Sequence, residues 1–180
     1  YTVITVYDRT TNNQVYQDRF NTIEWPFQKK RIKAISEHYK RALVMLDATG
    51  VGDPIADDLI RAGVPVEPIH FTEQSKKDLI EKLSIWIEQK RIKILNLEET
   101  LHEFDNFNYE IGPTGHIRYG APQGFYDDIV ISHALAVWAL QPLYKEVTEK
   151  PRTRVQQMYE KAKENYKYER NDEWREWADV

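Results

Sequence analysis

The stretch from Leu43 to Ile60, LVMLDATGVGDPIADDLI, decides how this chain folds. Its opening run, Leu43 to Leu46, is apolar without interruption, the pattern of a short strand buried on both faces. The run ends in Asp47. Gly50 and Gly52 follow, then Asp53 and Pro54, and then an apolar pattern at helical spacing that closes at Gly63. Aspartate suits a helix cap, proline the first helical position and glycine the helix end. The reading is strand, tight turn, helix, with a carboxylate standing where the strand gives out. Such an aspartate commonly caps the turn that follows. Here Asp53 is expected to cap the helix, and the glycines permit close backbone approach or positive φ beside Asp47. Both points favour a functional role for Asp47.

Working outward, TVITVY (residues 2–7) and VYQDRF (15–20) are β-branched and aromatic and flank a polar turn, which predicts a β-hairpin. Trp25 to Tyr39 has helical spacing, with Phe27, Ile32, Ile35 and Tyr39 on one face. Lys29, Lys30, Arg31 and Lys33 crowd that helix as a solvated face, with phosphate contact as the second reading. VPVEPIHF (64–71) predicts another strand. Ser75 to Gln89 predicts an amphipathic helix burying Leu79, Ile80, Leu83, Trp86 and Ile87, with Ser75 as cap. RIKIL (91–95) reads as a short edge strand, Leu97 to Phe104 as a helix, and NYEIGPTGHIRY (108–119) as a second hairpin turning at Gly112 to Gly115. FYDDIVISHALAVWAL (125–140) is the most apolar helix of the chain. This order of elements predicts an α/β domain with a mixed sheet flanked by helices. The strand ending at Asp47 is expected near its centre, with ligands gathering at strand C-terminal ends.

The 180 residues are 41% hydrophobic and 30% charged, enough for one domain with a core. No apolar span is long enough for a transmembrane helix, no secretory leader is visible, and no membrane partner is expected. Cysteine is absent, which removes disulfides and thiolate zinc sites from consideration. The net charge of −4 argues against a general nucleic-acid coat, though not against an enzyme that touches nucleic acid along one groove. Neither a Walker A pattern nor a dinucleotide fingerprint occurs.

Asp127 and Asp128 stand together at the start of the apolar helix. Negative charge favours a helix N-terminus, which accounts for one of them. Two carboxylates beside a core raise each other's pKa unless a cation is present. A divalent ion with oxygen ligands, magnesium or manganese, relieves that repulsion. Convergence of this pair with Asp47 would suit two-metal phosphodiester hydrolysis. Lys76 could hold a phosphate as a point charge. His133, mid-helix among apolar residues, reads as a packed histidine, whereas His70 follows a strand and could face the same end of the sheet as Asp47.

Two quoted segments carry a resemblance. LDATGVGDPIADDLIRAGVPVEPIHFTEQSKKDLIEKL and GFYDDIVISHALAVWAL together resemble the C-terminal nuclease domain of the terminase large subunit, the DNA-packaging motor of tailed bacteriophages. The resemblance covers residues 1–141 and rests on the LDATGxGD turn, the DDIV helix start some eighty residues on, and FTxxSK between them. It implies a ribonuclease H-like fold and a metal-dependent endonuclease that cuts concatemeric double-stranded viral DNA using two Mg²⁺ or Mn²⁺ ions. It makes Asp47, Asp127 and Asp128 the metal ligands and Lys76 a catalytic-site lysine. Lys77, Gly112, Gly115, His116 and Arg118 would lie along the DNA groove. It also implies an ATPase domain on the same polypeptide and action at the procapsid in the host cytoplasm. In the family a first catalytic aspartate lies on a strand just before one like TVITV, so that ligand is expected upstream of Tyr1. Asp8 ends the next strand and is expected away from Asp47. The domain is expected over residues 1–150. Residues 151–180 read as a charged, aromatic tail, for which the resemblance implies contact with portal or procapsid. Alternatives within the fold are a junction resolvase, an RNA–DNA hybrid nuclease, or a non-catalytic protein-binding module.

Overall fold

The computed structural model describes residues 1–50, 52–111 and 117–140. Strands β1 (Thr2–Asp8) and β2 (Asn13–Phe20) form an antiparallel hairpin, followed by helix α1 (Trp25–His38). Strand β3 (Val44–Asp47) runs parallel to β4 (Val66–Ile69) across helix α2 (Gly52–Arg61), a βαβ unit. Helices α3 (Glu73–Glu88) and α4 (Glu98–Asn106) precede the antiparallel pair β5 (Asn108–Ile111) and β6 (Ile117–Gly120), and α5 (Asp128–Ala139) ends the described chain.

The period-two alternation of β3 separates two cores. Val44 and Leu46 pack with Ile32, Ile55, Leu59 and Val64 from the α1–α2 side. Met45 instead packs on the opposite cluster, where Leu79, Leu83 and Trp86 of α3 meet Val130, Ala134 and Val137 of α5. β1 divides in the same way, Ile4 joining the first cluster and Tyr7 the second. Helices therefore cover both faces of the strands, as in an α/β layer arrangement. β3 was expected at the centre of one continuous sheet. Among the described residues it pairs with β4 alone and β1 with β2 alone, so the ladders are joined through shared cores rather than backbone hydrogen bonds. No helix of the described residues is long and apolar enough to cross a membrane.

Several local expectations are corrected by hydrogen bonding. Thr72, not Ser75, caps α3. The Ser75 N–H donates to Thr72 Oγ1 at 3.1 Å, and the Thr72 N–H donates back to Ser75 Oγ at 2.8 Å, a reciprocal box that satisfies two helix-end donors. Asp53 lies in the first turn of α2 rather than at its cap. Gly63, past the end of α2, takes φ +83°, the left-handed position that glycine tolerates. Residues 91–95 form only an isolated bridge, at Lys93 opposite Asn13. Phe27 and Ile87 face solvent rather than core. The basic run on α1 is largely neutralised: Lys29 pairs with Asp58, Arg31 with Asp18 and Lys33 with Glu37, and Lys30 lies over the Phe27 ring. These pairings support the solvated-face reading of that helix.

His133 is fully buried in α5, as expected of a packed histidine, with Nδ1 2.7 Å from the Tyr7 hydroxyl and Nε2 3.3 Å from Gln17 Oε1. Burial lowers its pKa from 6.5 to about 3, so the folded state holds it neutral. The unfolded chain then binds the extra proton as pH falls below about 6.5. Stability is full above that pH and declines toward pH 3, by up to about 1.4 kcal/mol per pH unit. Denaturant titrations between about pH 7 and about pH 5 should show this slope in the parent and a flatter one in His133→Gln; equal slopes would contradict a neutral buried imidazole. Leu59, with no exposed surface, fills the centre of the second cluster. Leu59→Ala should lower the unfolding free energy by about 2–5 kcal/mol, read from the urea midpoint.

Candidate metal centre

The loop after β3 is tied down by its own sequence. Asp47 is exposed at the strand end, and its Oδ1 accepts the Thr49 N–H at 2.9 Å. This is the aspartate turn that the residue type predicts. Ala48, fully buried, donates its N–H to the Ile69 carbonyl at 2.8 Å, and Thr49 Oγ1 accepts the Phe71 N–H at 2.9 Å. These two bonds staple the turn after β3 to the segment after β4. Gly50 has φ +82°, a conformation that a side chain would strain. Because β3 and β4 are parallel, His70 emerges at the same end as Asp47, as expected. Its Nε2 lies 3.1 Å from Asp53 Oδ1, with both side chains more than half exposed. Asp8 does not belong here: its carboxylate accepts from the Thr10 N–H and the Thr11 hydroxyl in the β1–β2 turn.

The start of α5 supplies the remaining carboxylates. Asp127 occupies the N-cap position, yet its side chain makes no capping bond. It turns instead toward Lys76 in the first turn of α3, whose Nζ lies 3.4 Å from Asp127 Oδ2. The same oxygen lies 3.6 Å from where a Cβ on Gly120 would stand, at the end of β6. Asp128 Oδ2 lies 3.1 Å from the Tyr1 nitrogen. Lys77 runs along α3 to Glu81, at 3.7 Å. Arg118 falls on β6, paired with Glu110, and Gly112, Gly115 and His116 lie outside the described residues, as do residues 151–180.

The structure thus brings Lys76 and Asp127 together, and packs α5 against both β1 and β3. No hydrogen bond or ion pair links Asp47 to Lys76, Asp127 or Asp128 among the described residues, nor do three carboxylates or imidazoles there converge as a set able to hold a metal ion. The donor chemistry fits a hard divalent cation, because every candidate ligand is a carboxylate.

Two residues unremarked in the sequence stand behind the aspartates. Glu103 of α4, only 4% exposed, accepts the Ile129 N–H through Oε2 at 2.8 Å, and its Oε1 lies 3.1 Å from Arg19 Nη2. Burial raises the Glu103 pKa, opposed by the Ile129 amide and Arg19 and reinforced by the charges of Asp128 and Asp127. The Arg19 guanidinium lies 3.7 Å from the Tyr1 ring centroid and 5.6 Å from that of Tyr126. A signal for Glu103 was present: it shares a helical face with Thr100 and Phe104, the inward side of α4.

Fold and sequence agree on the class. Residues 2–146 match the family described as Terminase RNaseH-like domain, and the chain belongs to that family. It is 36% identical over 137 residues to the terminase large subunits of Thermus virus P23-45 and Thermus phage G20c, a match covering 76% of this chain and 28% of each relative. The chain thus spans little more than a quarter of those proteins. Among solved structures, the large terminase nuclease of phage G20c with bound magnesium superposes with a TM-score of 0.71 at 34% identity, covering 76% of this chain and 72% of that one. The large terminase nuclease domain of Thermus phage P74-26 gives 0.70 at 32% identity, covering 76% and 71%.

Lys76 and Asp127 are each about one-third exposed, and such pairs are worth under about 1 kcal/mol. Lys76→Met should therefore change the urea-derived unfolding free energy by less than about 1 kcal/mol; a larger loss would make this lysine structural.

Proposed function

We propose that this domain is a metal-dependent endonuclease acting on double-stranded DNA, the nuclease portion of a phage terminase large subunit. One observation carries the reading. Asp127, at the head of a buried apolar helix, leaves its own helix end uncapped and faces a lysine, in a domain that superposes on a terminase nuclease crystallised with magnesium. A related structure of the G20c nuclease contains cobalt, and another contains zinc, which supports a site open to divalent ions of several kinds.

In this proposal Asp47, Asp127 and Asp128 would hold two Mg²⁺ or Mn²⁺ ions. When bound, such ions would supply a lowered pKa for a water and stabilisation of the leaving oxygen. The chain's own groups do the rest. The stapled turn after β3 holds Asp47 on rigid backbone, and the absence of a side chain at Gly50 keeps that turn open to a sugar–phosphate chain. Lys76 pairs with Asp127 at 3.4 Å, and its ammonium would be placed to hold a phosphate oxygen as a point charge. Lys77 on α3 and Arg118 on β6 would lie along the path of the duplex; Gly112, Gly115 and His116, assigned to the same groove by the resemblance, lie outside the described residues. The partners are DNA, an ATPase domain of the same polypeptide and, through residues 151–180, portal or procapsid. The place of action is the host cytoplasm.

The test is cleavage of linear and supercoiled plasmid by the full-length protein in Mn²⁺ or Mg²⁺, with four-way junctions and RNA–DNA hybrids as competing substrates. Asp47→Ala and Asp128→Ala should each reduce plasmid cleavage by about a hundredfold or more, and chelation should abolish it. Preference for junctions or hybrids would replace the terminase reading with another nuclease of this fold. Absence of both cleavage and Mn²⁺ binding in a folded protein would leave a binding module.

A further inference from the structure

We propose that Glu103 is a positioning residue: a carboxylate from α4 that caps α5 in place of Asp127, held by Arg19, and so sets where Asp127 and Asp128 stand. The functional consequence rests on the metal-nuclease reading, whereas the clamp itself stands on geometry.

A helix leaves its first N–H groups without partners inside the helix. The usual remedy is the side chain at the N-cap, and aspartate is among the best residues for it. Asp127 occupies that position and does not cap; its carboxylate faces Lys76. The Ile129 N–H instead donates 2.8 Å to Glu103 Oε2, from a different helix. Ile129 is fully buried, so without this acceptor its N–H would be desolvated and unpaired. Burying a glutamate carries its own cost, which a paired cation offsets. Arg19 supplies the cation from β2, its guanidinium against the face of Tyr1. The head of α5 is thereby fixed to two elements outside itself, α4 and β2.

A purely structural cap would not ordinarily be a third carboxylate placed beside two others. Asp127 and Asp128 are near enough for their charges to act on Glu103. The arrangement makes sense if the side chain of Asp127 must stay free of its own helix end, so that it can take a cation while the helix start remains rigid. Metal ligands are commonly oriented by such outer partners, and losing one typically weakens metal binding by about 10–100-fold.

Two variants of the full-length protein separate reach from charge. Glu103→Asp keeps the charge and falls one methylene short of Ile129. Glu103→Gln combined with Arg19→Met keeps an acceptor of the right length and removes both charges. The measurements are amide exchange at Ile129, the amide chemical shifts of Asp127 and Asp128, and the dissociation constant for Mn²⁺ alone. The clamp predicts that Glu103→Asp speeds Ile129 exchange about tenfold, moves both aspartate amides and weakens Mn²⁺ binding by about 10–100-fold. The double variant should recover the parent's exchange rate and shifts and most of its Mn²⁺ affinity. The opposite pattern, with Glu103→Asp like the parent and the double variant impaired, would overturn the clamp in favour of a charge effect. Unchanged Ile129 exchange in both would overturn it outright. A parent that binds no Mn²⁺ would sink the metal reading alone, and the exchange rates and aspartate shifts would still decide the clamp.

Discussion

Burial of α5 is the constraint on which the rest of this domain depends. Ile129, Val130, His133, Ala134, Leu135 and Val137 are all withdrawn from water, so the helix has almost no solvent face. A helix this apolar contributes through packing against every neighbour rather than along one stripe. It meets α3, α4, β1 and β3, and through them the β1–β2 and β3–β4 ladders share a core. The polar groups that it carries inward must be matched one by one, which explains the Tyr7–His133–Gln17 contacts. A buried imidazole held between two hydrogen-bonding partners costs less than one left alone.

The same burial concentrates charge at the helix head. Everything polar that α5 brings to its N-terminal end gathers over a short distance: Asp127, Asp128, the Ile129 amide, and the groups recruited to meet them. Lys76 and Arg19 enter from α3 and β2, and Glu103 from α4. Each comes from an element whose position is set by apolar packing elsewhere. The candidate centre is in that sense a by-product of the core: hydrophobic contacts decide where the helices lie, and the charges occupy the edge that remains.

The βαβ unit serves the opposite purpose. Its turn after β3 is short, hydrogen-bonded to the segment after β4 and anchored by the fully buried Ala48. A carboxylate on such a turn has little freedom to follow a moving ligand. Rigid placement of a charged side chain at the end of a parallel strand is what metal-assisted chemistry asks of a protein.

By itself the sequence determined the kinds of element and their order, because hydrophobic period and turn chemistry are local. The uninterrupted LVML run, the proline and glycine bounding α2 and the apolar DDIV helix each declared their structure without reference to anything distant. Asp47, Asp127, Asp128 and Lys76 could be singled out for the same reason, since an odd polar residue at the edge of an apolar run is visible in one dimension. Only tertiary structure decided which of them meet. It joined Lys76 to Asp127 across fifty-one residues and left Asp47 bonded within its own loop. It moved the cap of α5 from the residue that should have supplied it to Glu103, twenty-six residues away. It also neutralised the basic face of α1 with Asp18 and Asp58, partners outside that helix. Sequence carries a side chain's preference for water or partner, but a carboxylate's partner is whatever cation or amide the packed helices bring within three ångströms, and packing is settled by the whole core at once.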